Sequence, residues 1–216
     1  MNMPSTPLCG KTISCLGDSI TEGVGGQGQG WTVVLQQRFP DARVLNYGIA
    51  GTRIAEDPQG SQAFVSRLHQ LDPSSDIILV FGGINDFNHS LPLGLPEERN
   101  PATFTGALNL IADTLQRRFP CADLMFITPM KAFGFKNYPH WDSENAQGLK
   151  LIHYRDAIRQ VALQHSIPVL DLFAESGLTP DIPELKEIMM PDGLHPSPLG
   201  HQRIARKIAA AVLSRL

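Results

Sequence analysis

A carboxylate and a histidine near the carboxyl end of the chain have the spacing of a proton-transfer pair. Asp192 comes three residues before His195 in the segment Asp-Gly-Leu-His-Pro, whose glycine and proline are typical of a loop. A carboxylate at this spacing can hydrogen-bond one imidazole nitrogen, which fixes the tautomer and leaves the other nitrogen to act as a base. The chain has seven histidines, and only His195 combines such a carboxylate with a rigid loop. It is therefore the candidate general base.

Three further segments carry groups that could work with this base. Ser19 follows the first apolar run of the chain in Gly17-Asp18-Ser19, Gly51 follows the second run, and Asn85 follows the third. A serine hydroxyl becomes a nucleophile when a base accepts its proton, and a backbone N–H or a side-chain amide can donate to a developing negative charge. Taken alone, each segment is more typical of a helix cap or a plain turn.

The elements that must position these groups are short apolar runs alternating with amphipathic ones. Five runs lack polar alternation, as is typical of strands covered on both faces, at residues 13–16, 43–46, 76–81, 124–127 and 169–172. Helical spacing of apolar residues predicts helices at 31–39, 64–71, 104–115, 151–162 and 198–213. This alternation predicts one α/β domain over residues 1–216, a three-layer α/β/α sandwich around a five-stranded parallel sheet.

Sites in such folds lie beyond the carboxyl ends of the strands, which is where all four segments fall. In this order they resemble the four sequence blocks of the SGNH hydrolases, also called the GDSL lipase/esterase family. The blocks are Gly17-Asp18-Ser19, residues 46–51, residues 83–86 and residues 192–196. The resemblance extends over nearly the whole chain, and it departs from the family's pattern in having Ile20 where the name GDSL has leucine.

The resemblance implies a role for each of these residues. Ser19 is the implied nucleophile, His195 the general base and then acid, and Asp192 the carboxylate that orients the histidine. The implied oxyanion hole consists of the backbone N–H groups of Ser19 and Gly51 and the side-chain amide of Asn85. The fold implied is flavodoxin-like, and the reaction is hydrolysis of an ester or thioester through an acyl-enzyme, with neither a metal nor an organic cofactor.

The substrate is less well indicated. Residues 88–100 and 129–147 are two long polar stretches that we expect to be loops, and the segments 87–100 and 130–145 are expected to form walls of the site. Phe87, Phe133 and Trp141 are the candidate substrate-binding residues, because aromatic rings among polar groups can stack on a sugar or shelter a short acyl chain. The alternative is that they only pin long loops to the body. We expect short acyl groups, such as acetyl on a carbohydrate, with a lysophospholipase or thioesterase of longer acyl preference as the alternative.

Composition excludes several partners. The chain of 216 residues has 18 basic and 21 acidic side chains and a net charge of −3, unlike the basic footprint of a nucleic-acid binder. Its longest apolar run, residues 208–213, is far shorter than the roughly 20 residues of a membrane span, so we expect no stable membrane association. The amino terminus resembles no secretory signal, and three cysteines argue against a disulfide framework, so we expect a cytoplasmic protein. Monomer and homodimer are both compatible.

Two other classes of protein share parts of the pattern. A metal-dependent phosphoesterase could use oxygen and imidazole ligands from Asp18, Asn85, Asp86, Asp192 and His195, although only one histidine lies at the predicted site. A binding module without catalysis could use the same scaffold, because a fold does not determine a function. The presence of the serine, the histidine and the carboxylate together disfavours that second class.

One glycine-rich segment imitates a nucleotide-binding motif. Residues 23–28 fit the pattern Gly-x-Gly-x-x-Gly of dinucleotide sites. The segment begins seven residues after the end of the predicted strand, whereas a dinucleotide fingerprint lies in the turn directly after it. We interpret the segment as a loop beside Ser19.

Overall fold

Five parallel strands form the centre of the molecule in the computed structural model, which describes residues 7–57 and 62–215. The strands are β1 (Thr12–Gly17), β2 (Arg43–Gly48), β3 (Ile77–Phe81), β4 (Asp123–Ile127) and β5 (Val169–Leu170). Their spatial order is β2-β1-β3-β4-β5, and every pair of neighbours is parallel. The predicted five-stranded parallel sheet is thereby confirmed, and its order is that of flavodoxin-like folds.

The first strands end level with one another. Gly17 at the end of β1 pairs with Gly48 of β2 on one side and with Phe81 of β3 on the other. Phe81 in turn pairs with Ile127 of β4. The loops that follow these strands therefore lie next to one another at the same edge of the sheet. We call this edge, where the strands end, the carboxyl edge.

Helices cover both faces of this sheet. Within the described residues they are α1 (Ser19–Glu22), α2 (Trp31–Arg38), a 3₁₀ helix (Val65–Gln70), α3 (Ile84–Asn88), α4 (Phe104–Arg118), α5 (Leu151–Gln164), α6 (Leu172–Glu175), α7 (Pro183–Met189) and α8 (Pro198–Leu213). The helix predicted over 64–71 is the 3₁₀ helix. The helices α1, α3, α6 and α7 were not among the predicted ranges, because runs of four to seven residues are too short to show helical periodicity.

Alternate residues of β3 belong to two separate apolar cores. Ile77, Leu79 and Phe81 pack with side chains of α2 and α8 on one face. Ile78 and Val80 pack with side chains of the 3₁₀ helix, α4 and α5 on the other. Because both faces are covered, the strand needs no polar alternation, and this accounts for its unbroken apolar sequence.

The last strand is shorter than predicted. The apolar run suggested a strand to residue 172, but β5 ends at Leu170. The reason is Asp171, whose carboxylate accepts a hydrogen bond from the backbone N–H of Ala174 and caps α6. Leu172 is therefore the first residue of a helix.

The long polar stretches of the sequence are largely irregular in the structure. Of the predicted polar stretches 88–100 and 129–147, the first begins with Asn88, the last residue of α3, and the remaining residues of both contain no helix or strand. No helix in the described ranges is both long enough and apolar enough to cross a membrane. Residues 1–6, which make up most of the segment that we compared with a secretory signal, lie outside the described residues.

Candidate active site

Ser19 lies at the carboxyl edge, where β1 gives way to α1. The preceding residue, Asp18, has an extended backbone, and its carboxylate accepts a hydrogen bond of 3.0 Å from the N–H of Ile20. Gly23 ends the helix after one turn with a φ of +107°, a conformation that favours glycine. This short capped turn holds Ser19 at the strand end with only 6% of its surface exposed.

The structure brings Ser19, His195 and Asp192 into one hydrogen-bonded chain. His195 Nε2 lies 3.0 Å from Ser19 Oγ, and His195 Nδ1 lies 2.7 Å from Asp192 Oδ2. The other oxygen of Asp192 accepts hydrogen bonds from the backbone N–H groups of Leu194, at 2.9 Å, and His195, at 2.7 Å. The aspartate therefore fixes the backbone of the loop and the ring of the histidine together.

The environment of Asp192 keeps its carboxyl group ionised. Partial burial opposes ionisation, but the hydrogen bonds from the His195 ring and from two backbone N–H groups outweigh it, and they lower the pKa of Asp192 below its usual range. An ionised Asp192 requires a proton on Nδ1 of a neutral His195. Nε2 is then the acceptor that faces the serine hydroxyl, which is the arrangement that a general base needs.

The groups predicted as oxyanion-hole donors lie on the neighbouring loops. The Asn85 side chain donates a hydrogen bond of 2.9 Å from Nδ2 to the carbonyl of Thr52, and this bond uses one of its two amide hydrogens. Gly51 directly precedes Thr52, has a φ of +75° and is exposed, and no heavy atom lies within 4 Å of the position that a β-carbon would occupy. Thr52 thus joins the Gly51 and Asn85 segments.

A buried aspartate ties the same loop to α3. Asp86 accepts hydrogen bonds of 3.0 Å from the backbone N–H groups of Ile54 and Ala55, one on each carboxylate oxygen. Burial raises the pKa of Asp86 to about 6, and these two bonds oppose the rise. Burial likewise raises the pKa of Asp18 to about 7, against the stabilising effects of the Ile20 N–H and of the nearby His195 and Arg67. Two costly carboxylates therefore shape the turns around Ser19 and Asn85.

Comparison with known proteins identifies the family. The sequence profile of the GDSL-like lipase/acylhydrolase family matches residues 15–203. The chain belongs to this family. As a member of it, the protein is an ester hydrolase, in agreement with the geometry of Ser19, His195 and Asp192.

Solved structures share the fold over almost the whole chain. One is 40% identical, with a TM-score of 0.89, over 94% of this chain and 96% of that chain. A protein from Lactobacillus plantarum is 31% identical, with a TM-score of 0.87, over 95% and 98%. A carbohydrate acetylesterase family member from Sinorhizobium meliloti is 21% identical, with a TM-score of 0.64, over 94% and 97%, and it shares the fold alone. No curated protein matches the chain in sequence.

The prediction that Phe87 binds substrate is wrong. Its side chain is fully buried in the core beneath α4 and α5, with its ring centroid 5.8 Å from that of Tyr154. The expected loop began at residue 87, but Asn85 and Phe87 both belong to α3, which turns the phenylalanine inward. Phe87 therefore anchors the helix that carries Asn85.

The other two predicted aromatic residues lie in the loop that follows β4. Phe133 is 45% exposed, and its backbone N–H donates to the carbonyl of Gly193 at 2.8 Å, beside the catalytic histidine loop. Trp141 is half-buried and donates from Nε1 to Asp181 at 2.7 Å, with Lys131 Nζ 4.2 Å from its ring centroid. The ring in contact with the reacting groups is instead Phe135, edge-on to His195 with centroids 5.0 Å apart.

The glycine-rich segment packs against the histidine loop. A β-carbon on Gly25 would lie 2.4 Å from the Pro196 carbonyl oxygen and 3.2 Å from His195 Cβ, so this close approach requires glycine. His201 of α8 fixes the same segment, since its Nε2 lies 3.0 Å from the carbonyl of Val24. Its Nδ1 accepts from the backbone N–H of Trp31 at 3.2 Å, and both partners are too far away in sequence for a local pattern to indicate them.

The residues that a metal-dependent phosphoesterase would need are engaged elsewhere. The carboxylate of Asp18 accepts from a backbone N–H, both oxygens of Asp86 do the same, and Asp192 holds His195. In the part of the chain that the structure describes, no three His, Cys, Asp or Glu side chains form a group that could hold a metal ion.

Proposed function

We propose that this family member is a serine esterase that removes short acyl groups, with acetyl esters of carbohydrates as its substrates. The observation that carries the serine mechanism is the hydrogen-bonded chain from Asp192 through His195 to Ser19. The preference for a small acyl group is supported by the burial of the reacting groups, since Ser19 and His195 are 6% and 8% exposed. A bulky acyl chain would have little open surface through which to approach the serine.

In the proposed reaction, Ser19 Oγ attacks the ester carbonyl while its proton passes to His195 Nε2. The negative charge on the carbonyl oxygen is met by the backbone N–H groups of Ser19 and Gly51 and by the second amide hydrogen of Asn85. The bond to the leaving alcohol then breaks, and the alcohol oxygen takes the proton from Nε2. Water repeats the cycle: it gives a proton to Nε2, attacks the acyl carbon and releases Ser19 with its proton restored.

A carbohydrate as the leaving group is supported by the side chains beyond His195. The ring of Phe135 touches His195, and the ring centroid of Tyr138 lies 5.9 Å from that of Phe135. The Tyr138 hydroxyl lies 3.3 Å from Nε2 of the exposed His89. Aromatic faces with hydrogen-bonding groups at their rims suit a pyranose, which has apolar C–H faces and polar edges.

The test is hydrolysis of p-nitrophenyl esters from acetyl to decanoyl in the presence of EDTA, with Ser19→Ala alongside. We expect the highest kcat/KM with acetyl and a loss of at least about 10⁴-fold in Ser19→Ala. Acetate release from an acetylated xylo-oligosaccharide should weaken in Tyr138→Ala through KM, with little change on p-nitrophenyl acetate. A maximum at octanoyl would favour the lysophospholipase or thioesterase alternative, and activity unchanged in Ser19→Ala would overturn the serine mechanism.

A cytoplasmic location is a second part of the proposal. Cys9, Cys15 and Cys121 are all free thiols, two of them exposed, which is typical of proteins in a reducing compartment. Subcellular fractionation with thiol labelling would test it, and recovery of Cys9 or Cys121 in a disulfide would contradict it.

A further inference from the structure

A buried arginine lies beneath the proposed oxyanion hole. Arg67 belongs to the 3₁₀ helix Val65–Gln70 and is only 2% exposed. Its guanidinium carbon lies 5.0 Å from the ring centroid of Phe64, and its Nε donates to the carbonyl of Gln62 at 3.1 Å. Burial lowers the pKa of Arg67 to about 10, so the side chain stays charged at neutral pH. A buried charge of this kind is costly unless its donors are used.

Its remaining donors join the ends of two strands to the loop after β2. Nη2 donates to the carbonyl of Gly17 at 2.6 Å and to the hydroxyl of Thr52 at 3.2 Å, and Nη1 donates to the carbonyl of Tyr47. Gly17 is the last residue of β1 and Tyr47 the last but one of β2, and the carbonyl of Gly17 also accepts from the backbone N–H of Ile49 at 3.1 Å. The planar fork of the guanidinium reaches all three acceptors at once.

Each proposed oxyanion-hole donor is close to one of these acceptors. Gly17 precedes Ser19 by two residues, and Thr52 directly follows Gly51. The carbonyl of Thr52 accepts the hydrogen bond that orients the amide of Asn85. The hydrogen bonds of Arg67 therefore end two residues before Ser19 and one residue after Gly51, and the second of these residues, Thr52, also holds the amide of Asn85.

We propose that Arg67 is a positioning residue that sets the three oxyanion-hole donors relative to one another, an inference that rests on the proposed function. It touches no substrate and acts through Gly17 and Thr52. Only a planar group with several donors can hold all three acceptors, so lysine should not replace it. Because pre-set donors stabilise the transition state more than the bound ester, the loss should fall on kcat.

The main experiment compares Arg67→Lys with Arg118→Lys. Arg118 is exposed but is a control for hydrogen bonding and stacking, because it also donates to three carbonyls around the 3₁₀ helix and stacks on a phenylalanine; the carbonyls are those of Leu68, His69 and Leu71. With p-nitrophenyl acetate we expect Arg67→Lys to lower kcat by about 10- to 100-fold with KM changed less than about 3-fold. Arg118→Lys should keep kcat within about 2-fold of the parent enzyme at a temperature where both variants are folded.

A double-mutant cycle with Asn85→Ala separates positioning from general stability. If Arg67 acts through the donors, the kcat losses of Arg67→Lys and Asn85→Ala should combine to less than their product, whereas those of Arg118→Lys and Asn85→Ala should multiply. Multiplying losses in the first pair, or a kcat for Arg67→Lys within about 2-fold of the parent, would overturn the proposal.

A milder change tests the same link if Arg67→Lys does not fold. Thr52→Val removes the hydroxyl that accepts from Arg67 and that donates to the carbonyl of Ile49 at 2.7 Å, and it keeps the shape of the side chain. Thr52→Ser keeps the hydroxyl and both hydrogen bonds. We expect kcat to fall about 3- to 10-fold in Thr52→Val and to change less than about 2-fold in Thr52→Ser. Equal kcat in the two variants would overturn the proposal. Failure of the parent enzyme to hydrolyse any ester would instead overturn the proposed function itself.

Discussion

The two edges of the sheet are built in opposite ways. At the amino edge, where the strands begin, a cavity of about 380 Å³ opens among Phe119, Leu124, Ile167 and Pro168. At the carboxyl edge, Ser19 and His195 are almost covered, and Gly25 is packed so tightly against the histidine loop that a β-carbon would not fit. The proposed reaction is thus located where closely packed loops hold the reacting atoms in place, and the cavity lies at the opposite edge. Fixed donors require contact on every side, which a roomy cavity does not supply.

The carboxylates of the two edges show the same difference. Asp76, just before β3, accepts from the N–H of Thr12 at 2.8 Å and from Lys11 Nζ at 3.0 Å, and these partners lower its pKa below the usual range. Asp18 and Asp86 also accept from backbone N–H groups, but burial raises their pKa values to about 7 and about 6. Ionisation of Asp76 therefore favours folding, whereas ionisation of the buried Asp18 and Asp86 opposes it. Asp192 differs from these two, because it is only partly buried and its hydrogen bonds lower its pKa.

Among changes that compare the two edges, the largest effect should come from Asp192→Asn. An asparagine can still accept from the Leu194 and His195 backbones, but its NH₂ group would face His195 Nδ1 and force the proton onto Nε2. The histidine could then no longer accept from Ser19, so kcat should fall about 10⁴-fold with the fold retained. Steady-state kinetics on p-nitrophenyl acetate measure this. Asp76→Asn changes the same functional group at the amino edge and should leave kcat unaltered, and a kcat for Asp192→Asn above a tenth of the parent value would contradict the assignment.

The second prediction concerns stability against pH. Asp18 has a pKa of about 7 in the folded state, against 3.8 for an ordinary aspartate. Between these pH values the folded state binds more protons than the unfolded state. The contribution of protonated Asp18 to stability is therefore lost as the pH rises through this range. Relative to Asp18→Asn, the parent should lose up to about 4 kcal/mol of unfolding free energy between pH 4 and 7.

Urea unfolding at pH 4.5, 6.0 and 7.5 would measure this difference. For Asp76, the pKa is lowered, so its contribution is present above the usual range and the difference between the parent and Asp76→Asn should stay flat over these three values. If the unfolding free energies of the parent and Asp18→Asn change in parallel with pH, ionisation of Asp18 does not destabilise the folded state.

The third prediction tests whether a buried amide at the carboxyl edge differs from one elsewhere. Asn85→Ala removes an oxyanion-hole donor and should lower kcat about 10²- to 10³-fold, or roughly 3–4 kcal/mol. Asn109→Ala removes another buried amide, which donates to the carbonyls of Pro96 and Glu98. It should reduce the free energy of unfolding by about 1–3 kcal/mol without changing kcat. Similar kcat values for the two variants would contradict the assignment of Asn85 as an oxyanion-hole donor.

Sequence alone predicted the parts of the site that depend on short spacings. Asp192 and His195 are three residues apart, and Ser19, Gly51 and Asn85 each follow a strand, so the rule that such residues meet at one edge was sufficient to bring them together. The alternation of short apolar runs with helical patterns likewise predicted the sheet, since β3 is buried on both faces.

The rest depends on contacts between distant residues. Arg67 has the pattern of a solvated helix position, and only the fold shows that its donors reach Gly17, Tyr47 and Thr52. Phe87 was misassigned because α3 is too short to show a period, so the direction of its side chain was not predictable. The hydrogen-bond partners of His201, Val24 and Trp31, lie 177 and 170 residues away, beyond any local pattern.

The smallest expected effect is that of a charge at the amino edge. Lys11 pairs with Asp76 at 3.0 Å, with side-chain exposures of 45% and 35%, so solvent and salt screen the attraction. Lys11→Met should therefore lower the unfolding free energy by only about 0.2–1 kcal/mol, less at high ionic strength, and leave kcat unchanged. Urea unfolding at low and high salt measures both the size and the screening. A loss above about 2 kcal/mol, independent of salt, would mean that this exposed pair acts like a buried one. The amino edge would then not differ from the carboxyl edge in the environment of its charges.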